Sequence, residues 1–363
     1  MKHVNRLHNT HYRKPKLRFL YLLSVILFLS SCTASSNMPE TFSEGAETSV
    51  EVIGYHTAKT ADYFLKEGDR VAVISPSAYP SEKQRDAVMN GLRDLGYIPV
   101  EGTYTVGEER TLQQTAEDLK WALEDPEIKA IYCIRGGTAS SEVIDYLGVK
   151  TIAANPKLII GYSDISAYLA AWTSRGLPSL HSSMAGSFID LPEACLDVQK
   201  HMMRGEIPTY QCEGMTYDVQ GEAEGILLGG NLSVLLSVLG TDYDPTGTDQ
   251  PYILFLEDTA EDMEHIHRML TVLKHMGILD RAQGILFGEW SDIPAECETY
   301  DGRSRDGRFQ GVADMISRQF TKDLGIPVAF GFPAGHGDMN YPLLMGQKAR
   351  FTVETDHYTL EWE

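Results

Sequence analysis

The chain is poor in cysteine, poor in positive charge and without any long apolar run. Its five cysteines, Cys32, Cys133, Cys195, Cys212 and Cys297, include no Cys-x-x-Cys pair. That excludes a dithiol redox motif and the common zinc-ribbon spacings. One disulfide among Cys195, Cys212 and Cys297 stays open to an exported protein, but no spacing demands it. Metal-ligand clusters are equally scarce. His265-Ile266-His267 is the nearest candidate, and a helical i, i+2 spacing splays its two rings apart. Only 31 Lys and Arg stand against 51 Asp and Glu, a net charge of −20. Such a surface repels nucleic acid and anionic lipid headgroups. No internal repeat and no low-complexity tract is present.

The longest apolar run, Phe19 to Leu29, has 11 residues and is interrupted only by Ser24. It is too short for a membrane span. It follows a basic segment, Lys2, Arg6, Arg13, Lys14, Lys16 and Arg18, that has no acidic residue. This is the order of a secretory signal. It closes on Leu29-Ser30-Ser31-Cys32, which resembles a bacterial lipobox. The expectation is an exported protein anchored on the periplasmic or surface side of a bacterial membrane through an acylated Cys32. Removing residues 1–31 leaves 25 basic against 51 acidic side chains, a net of −26. The bilayer link then comes from lipid, with no nucleic-acid partner.

Residues 33–50 are rich in Ser, Thr and Glu without periodicity, and a tether is expected over 32–60. From about Leu65, strand and helix patterns alternate. Val71–Ile74, Ala130–Ile134 and Leu158–Gly161 read as buried strands; Glu82–Leu95 and Leu112–Leu123 read as amphipathic helices. This order predicts an α/β fold with a parallel sheet in an N-terminal domain, residues 61–190. Its strands would carry Ser75, Gly136 and Ser163 at their carboxyl ends, where ligands bind. The pattern weakens over 191–220, read as a linker. Residues 221–363 form a second, β-rich domain with strands near 225–230, 252–256, 284–287, 327–330 and 349–353. Helices are expected over 263–276 and 312–320.

The most informative segment is Lys157-Leu158-Ile159-Ile160-Gly161-Tyr162-Ser163-Asp164-Ile165-Ser166. An apolar strand breaks at a glycine and passes at once into a helical pattern. A serine at such a turn is held out of the sheet, beside the N–H groups of the new helix. The usual nucleophile elbow is Gly-x-Ser-x-Gly; here the pattern is Gly-x-Ser-Asp, and a plain N-cap serine is the alternative.

A serine nucleophile needs a base, and the base an orienting group. Gly331-Phe332-Pro333-Ala334-Gly335-His336-Gly337-Asp338 places a histidine in a glycine-rich loop after an apolar strand. Ile253-Leu254-Phe255-Leu256-Glu257-Asp258 ends an apolar strand on a carboxylate that is costly to bury unpaired. Accepting the His336 N–H would offset that cost for Glu257, while Asp258, with Thr259, is expected to cap the helix that follows. Arg135-Gly136-Gly137-Thr138 closes another strand. Its glycines allow a backbone N–H to join that of Asp164 in an oxyanion hole. Arg135 is read as a substrate-carboxylate contact or a structural ion pair. Asn231, in Gly229-Gly230-Asn231-Leu232, is read as a polar substrate contact or an N-cap.

Together these motifs resemble the serine LD-carboxypeptidases, a family that includes the muramoyl-tetrapeptide carboxypeptidases and the microcin C immunity peptidases. The resemblance spans roughly residues 65–355, with the motifs in the family's order. It implies a triad of Ser163, Glu257 and His336, and an oxyanion hole from Gly136 or Gly137 and Asp164. It also implies a flavodoxin-like N-terminal domain with a smaller β-rich α/β C-terminal domain, often as a homodimer. Thr138-Ala139 departs from the family's aromatic-Gly after Arg-Gly-Gly, and His181-Ser182-Ser183 departs from its His-Gly-Pro. Thr259 and Ala260 leave no arginine after Glu257, which favours the murein branch over the immunity branch. The expected activity is hydrolysis before a terminal D-amino acid of a murein-type peptide, with no metal or organic cofactor. The rivals are a solute- or muropeptide-binding lipoprotein, for which an elbow serine has no use, and a microcin-immunity-like peptidase.

Overall fold

A computed structural model describes residues 49–59, 61–107, 109–293 and 311–363. Cys32 and Cys297 lie outside them. Two sheets organise this part of the chain.

The first sheet grows from the apolar runs. Arg70–Ile74, Ile98–Glu101, Ile128–Cys133, Leu158–Gly161 and Ser179–His181 are parallel strands. Val71 through Ile74 and Leu158 through Ile160 are fully buried, as a parallel sheet covered on both faces requires. In space the order is 98–101, 70–74, 128–133, 158–161, 179–181, the doubly wound order of flavodoxin-like folds. The chain reverses direction across the sheet between 70–74 and 128–133. A crevice therefore opens at the carboxyl ends of those strands, between the loops after Ile74 and Cys133. The helix Glu82–Asp94 starts beside that crevice on a capping box made by Ser81 and Gln84.

The second sheet has eight strands, in the order 50–57, 206–213, 357–362, 348–353, 221–231, 252–259, 284–291, 328–329. Its last four are parallel, so Glu257 again sits at a strand's carboxyl end. The helix Met263–His275 packs its apolar stripe, Ile266, Leu270 and Leu273, inward.

The two halves exchange strands, which corrects the expected boundaries. Val50–Thr57, placed in the tether, pairs antiparallel with Glu206–Glu213 at the edge of the second sheet. The segment read as a linker holds the helix Glu193–Met203 and that same strand. Leu343–Met345, from the C-terminal half, adds an antiparallel strand to the first sheet beside 179–181. The described residues make one compact unit. Cys133, Cys195 and Cys212 are buried free thiols. Among the described residues no helix is long and apolar enough to cross a membrane.

Candidate active site

Ser163 follows the strand Leu158–Gly161 by two residues, on a short turn that leads into the helix Ser166–Thr173. The turn is tight because Gly161 lacks a Cβ; one placed there would meet Ile165 Cγ2 at 2.8 Å. Ser163 has φ +62°, a left-handed conformation that a non-glycine residue adopts at a cost of about 1–3 kcal/mol. The neighbouring carboxylate helps hold it there. Asp164 is buried and accepts from the Ser140 N–H at 2.9 Å and from the Ser77 hydroxyl. The elbow is thus fastened to both loops of the crevice.

Gly136 lies directly against the serine. A Cβ at that position would stand 2.9 Å from Ser163 Cβ and Oγ and 3.4 Å from the Asp164 nitrogen. Gly137 is pressed on Ser77 and Ala78 in the same way, and the Gly136 carbonyl accepts from the Ala78 N–H at 3.2 Å. The Arg-Gly-Gly backbone is therefore brought up to the hydroxyl.

His336 Nδ1 meets Glu257 Oε2 at 2.9 Å. Glu257 is wholly buried, whereas the imidazole keeps 16% of its surface exposed toward the cleft. Burial pushes the Glu257 carboxyl up, but the imidazoles of His181 and His336 outweigh it and hold the group below its ordinary value. Burial works against the charged form of His336; the bond to Glu257 more than offsets it and raises the ring's pKa. Gly335 lets this loop close on the acid: it has φ +138°, and a Cβ there would stand 3.0 Å from Glu257 Oε2. The Tyr162 ring packs 4.8 Å from that of His336.

Ser163, His336, Gly136, Gly137 and Arg135 line one open cleft of about 410 Å³, together with Tyr162, Met184, Gln84 and Thr259. Glu257 stands behind His336, and the Asp164 carboxylate behind the elbow. Arg135 makes no ion pair in the described structure; its Nη1 donates to the Tyr79 carbonyl at 2.9 Å and the side chain is otherwise exposed.

Other expected placements change. Asn231 is buried and does not face the cleft: its Oδ1 accepts from the Val234 N–H and its Nδ2 donates to Asp258 at 2.8 Å. It is the N-cap of the helix Leu232–Val238. Asp258 serves that same helix end, accepting from the Ser233 N–H at 2.9 Å, while the helix after it is capped by Asp262. Ser182 and Ser183 are buried, and the cleft wall is made by Met184, Ala185 and Gly186 instead. His265 bonds Glu261, and the His267 ring packs on Phe320, so the two do not converge on a metal.

Two residues near the site, Glu289 and His181, have no role assigned from sequence, although His181 lies in the His181-Ser182-Ser183 motif. Glu289 accepts the Gly337 N–H at 2.9 Å and so braces the His336 loop; burial pushes its carboxyl up to about 7. It repeats the signature of Glu257, an acid directly after a buried run, residues 284–288, within the strand Gly284–Ser291. His181 reaches Glu257 from the other sheet.

Comparison with known proteins finds matches over both halves of the chain. The N-terminal domain of the LD-carboxypeptidases matches residues 71–182, and their C-terminal domain matches residues 224–351. The chain belongs to the LD-carboxypeptidase family. A putative carboxypeptidase of Streptomyces coelicolor is 33% identical over 308 residues, covering 82% of this chain and 94% of the relative. The murein tetrapeptide carboxypeptidase of Pseudomonas aeruginosa is 27% identical, over 77% of this chain and 92% of its own. Among solved structures, an MccF-like protein from Bacillus anthracis superposes with a TM-score of 0.68 at 25% identity, over 83% of this chain and 98% of that one. As an LD-carboxypeptidase family member, the chain keeps both family domains on the two sheets described here.

Proposed function

We propose that the protein is a serine-type LD-carboxypeptidase that removes a terminal D-amino acid from murein-type peptides. The observation that carries this reading is the Glu257–His336 bond opening onto the same cleft as Ser163. Ser163 attacks the carbonyl before the terminal residue. His336 takes the hydroxyl proton and returns it to the leaving amine, which leaves an acyl-enzyme on Ser163; His336 then takes a proton from the water that cleaves this ester, releasing the shortened peptide and restoring the serine hydroxyl. Glu257 fixes the imidazole tautomer and stabilises the imidazolium. The N–H groups of Asp164 and of Gly136 or Gly137 receive the developing oxyanion. Family membership and the named activity of the Pseudomonas relative support the substrate class.

The test is product analysis. Residues 50–363, incubated with murein tetrapeptide, are expected to release tripeptide and a free D-amino acid, identified by mass. An L-terminal diastereomer is expected to remain intact. Equal cleavage of the two would remove the LD assignment and leave the triad.

We also propose that the protein is lipid-anchored through Cys32. The basic segment, the 11-residue apolar run and Leu29-Ser30-Ser31-Cys32 support this. Growth with a fatty-acid probe is expected to label the wild type and not Cys32→Ala. An unlabelled wild type leaves an ordinary signal peptide.

A further inference from the structure

Glu257 lies between two imidazoles. His336 takes Oε2; on the other side His181 Nε2 stands 3.7 Å from Oε1. His181 and Glu257 are both 0% exposed. Neither His181 ring nitrogen, nor Glu257 Oε1, has a hydrogen-bond partner among the described residues. A buried carboxylate oxygen and a buried N–H donor facing each other at this distance need only a small approach to bond, and leaving both unmade is costly.

We propose that His181 is a positioning residue for the triad, donating its Nε2–H to Glu257 Oε1 so that Oε2 stays on His336. This rests on the serine-triad reading. The last side-chain torsion of a glutamate is broad, so one hydrogen bond leaves the carboxylate plane free to rock. A second donor on the opposite oxygen fixes it. The His181 ring is itself held, edge-on to Phe255 at 5.1 Å and to Tyr162 at 5.9 Å.

The position also joins the two sheets. His181 pairs with Gly161 in the sheet that ends at Ser163, and its side chain reaches the sheet that carries Glu257. Fixing Glu257 from this side therefore registers the base against the nucleophile across the sheet boundary.

The test compares three variants. His181→Phe keeps the ring packing and removes the donor. It is expected to lower kcat on the order of tenfold to a hundredfold, the scale on which orienting partners act, with KM within about threefold. Covalent labelling of Ser163 by a fluorophosphonate is expected to slow by a similar factor. His181→Gln places an amide N–H near the Nε2 position and is expected to restore most of both. His181→Asn, one bond shorter, is expected to behave like His181→Phe, and this pair carries the contrast should His181→Phe not fold. Wild-type kcat and labelling in His181→Phe, or equal losses in the Gln and Asn variants, would overturn the proposal. A wild type that neither hydrolyses peptide nor labels at Ser163 would sink the triad reading first, and this inference with it.

Discussion

Ser163→Ala is expected to lower turnover on the order of 10³-fold or more while leaving the melting temperature near that of the wild type. The two halves of this expectation have separate causes. The loss follows from deleting the only atom that bonds to substrate carbon, since the cleft then offers binding and an oxyanion site without a nucleophile. The preserved fold follows from the way the elbow is held. Its fastening is the Asp164 carboxylate on Ser77 and Ser140, together with the packing of Gly161 on Ile165. His336→Ala is expected to match the serine variant, because members of a triad act as a unit. Glu257→Gln is expected to be milder: an amide oxygen still accepts the His336 N–H but cannot stabilise the charged ring. Turnover and thermal melts on the same preparations check all three. Unchanged turnover in Ser163→Ala would end the serine mechanism.

Amidating the substrate's terminal carboxylate is expected to reduce kcat/KM by on the order of tenfold to a hundredfold, the scale of one charge-assisted hydrogen bond of about 1.5–3 kcal/mol. The chain carries a net charge of −20, so an anionic substrate approaches against the general field. Among the described residues none that lines the cleft is acidic, and Arg135 lies among them, exposed and with one nitrogen on the Tyr79 carbonyl. A planar guanidinium so placed suits a carboxylate. Arg135→Ala is therefore expected to erase the difference between free and amidated peptides as well as lower the rate. Equal cleavage of both peptides by the wild type would indicate an endopeptidase or amidase.

The parts of the site legible in the sequence are those whose chemistry is local. Leu158–Gly161 is a strand with the expected bounds, because a short fully apolar run ended by glycine has few alternatives in a parallel sheet. Glu257 was legible because an acid closing such a run must find a partner. Strands whose pairing is decided at long range were not. Ile98–Glu101 contains Pro99, and Glu206–Glu213 contains Pro208, residues that weaken a strand pattern, yet neighbouring strands recruit both segments. Val50–Thr57 has too few buried positions to announce itself; its partner 206–213 decides it. The same limit applies to side chains. Asn231 looked equally suited to a ligand or a helix end, and only the position of Asp258 on the adjacent strand decides for the cap. His181 carried no local sign that it faces Glu257, since that contact joins residues from different sheets. Glu289 carried the same sign as Glu257, but which loop it braces depends on how Gly337 folds back.

The central claim, that Ser163 is the nucleophile activated by His336, is tested most directly by active-site titration. The protein is treated with increasing fluorophosphonate, residual peptide hydrolysis is measured, and the modified residue is located by peptide mass mapping. The account predicts one equivalent of label, on Ser163, with hydrolysis falling in proportion and no labelling in His336→Ala on the same timescale. Label on another residue, or hydrolysis surviving full modification of Ser163, would contradict it.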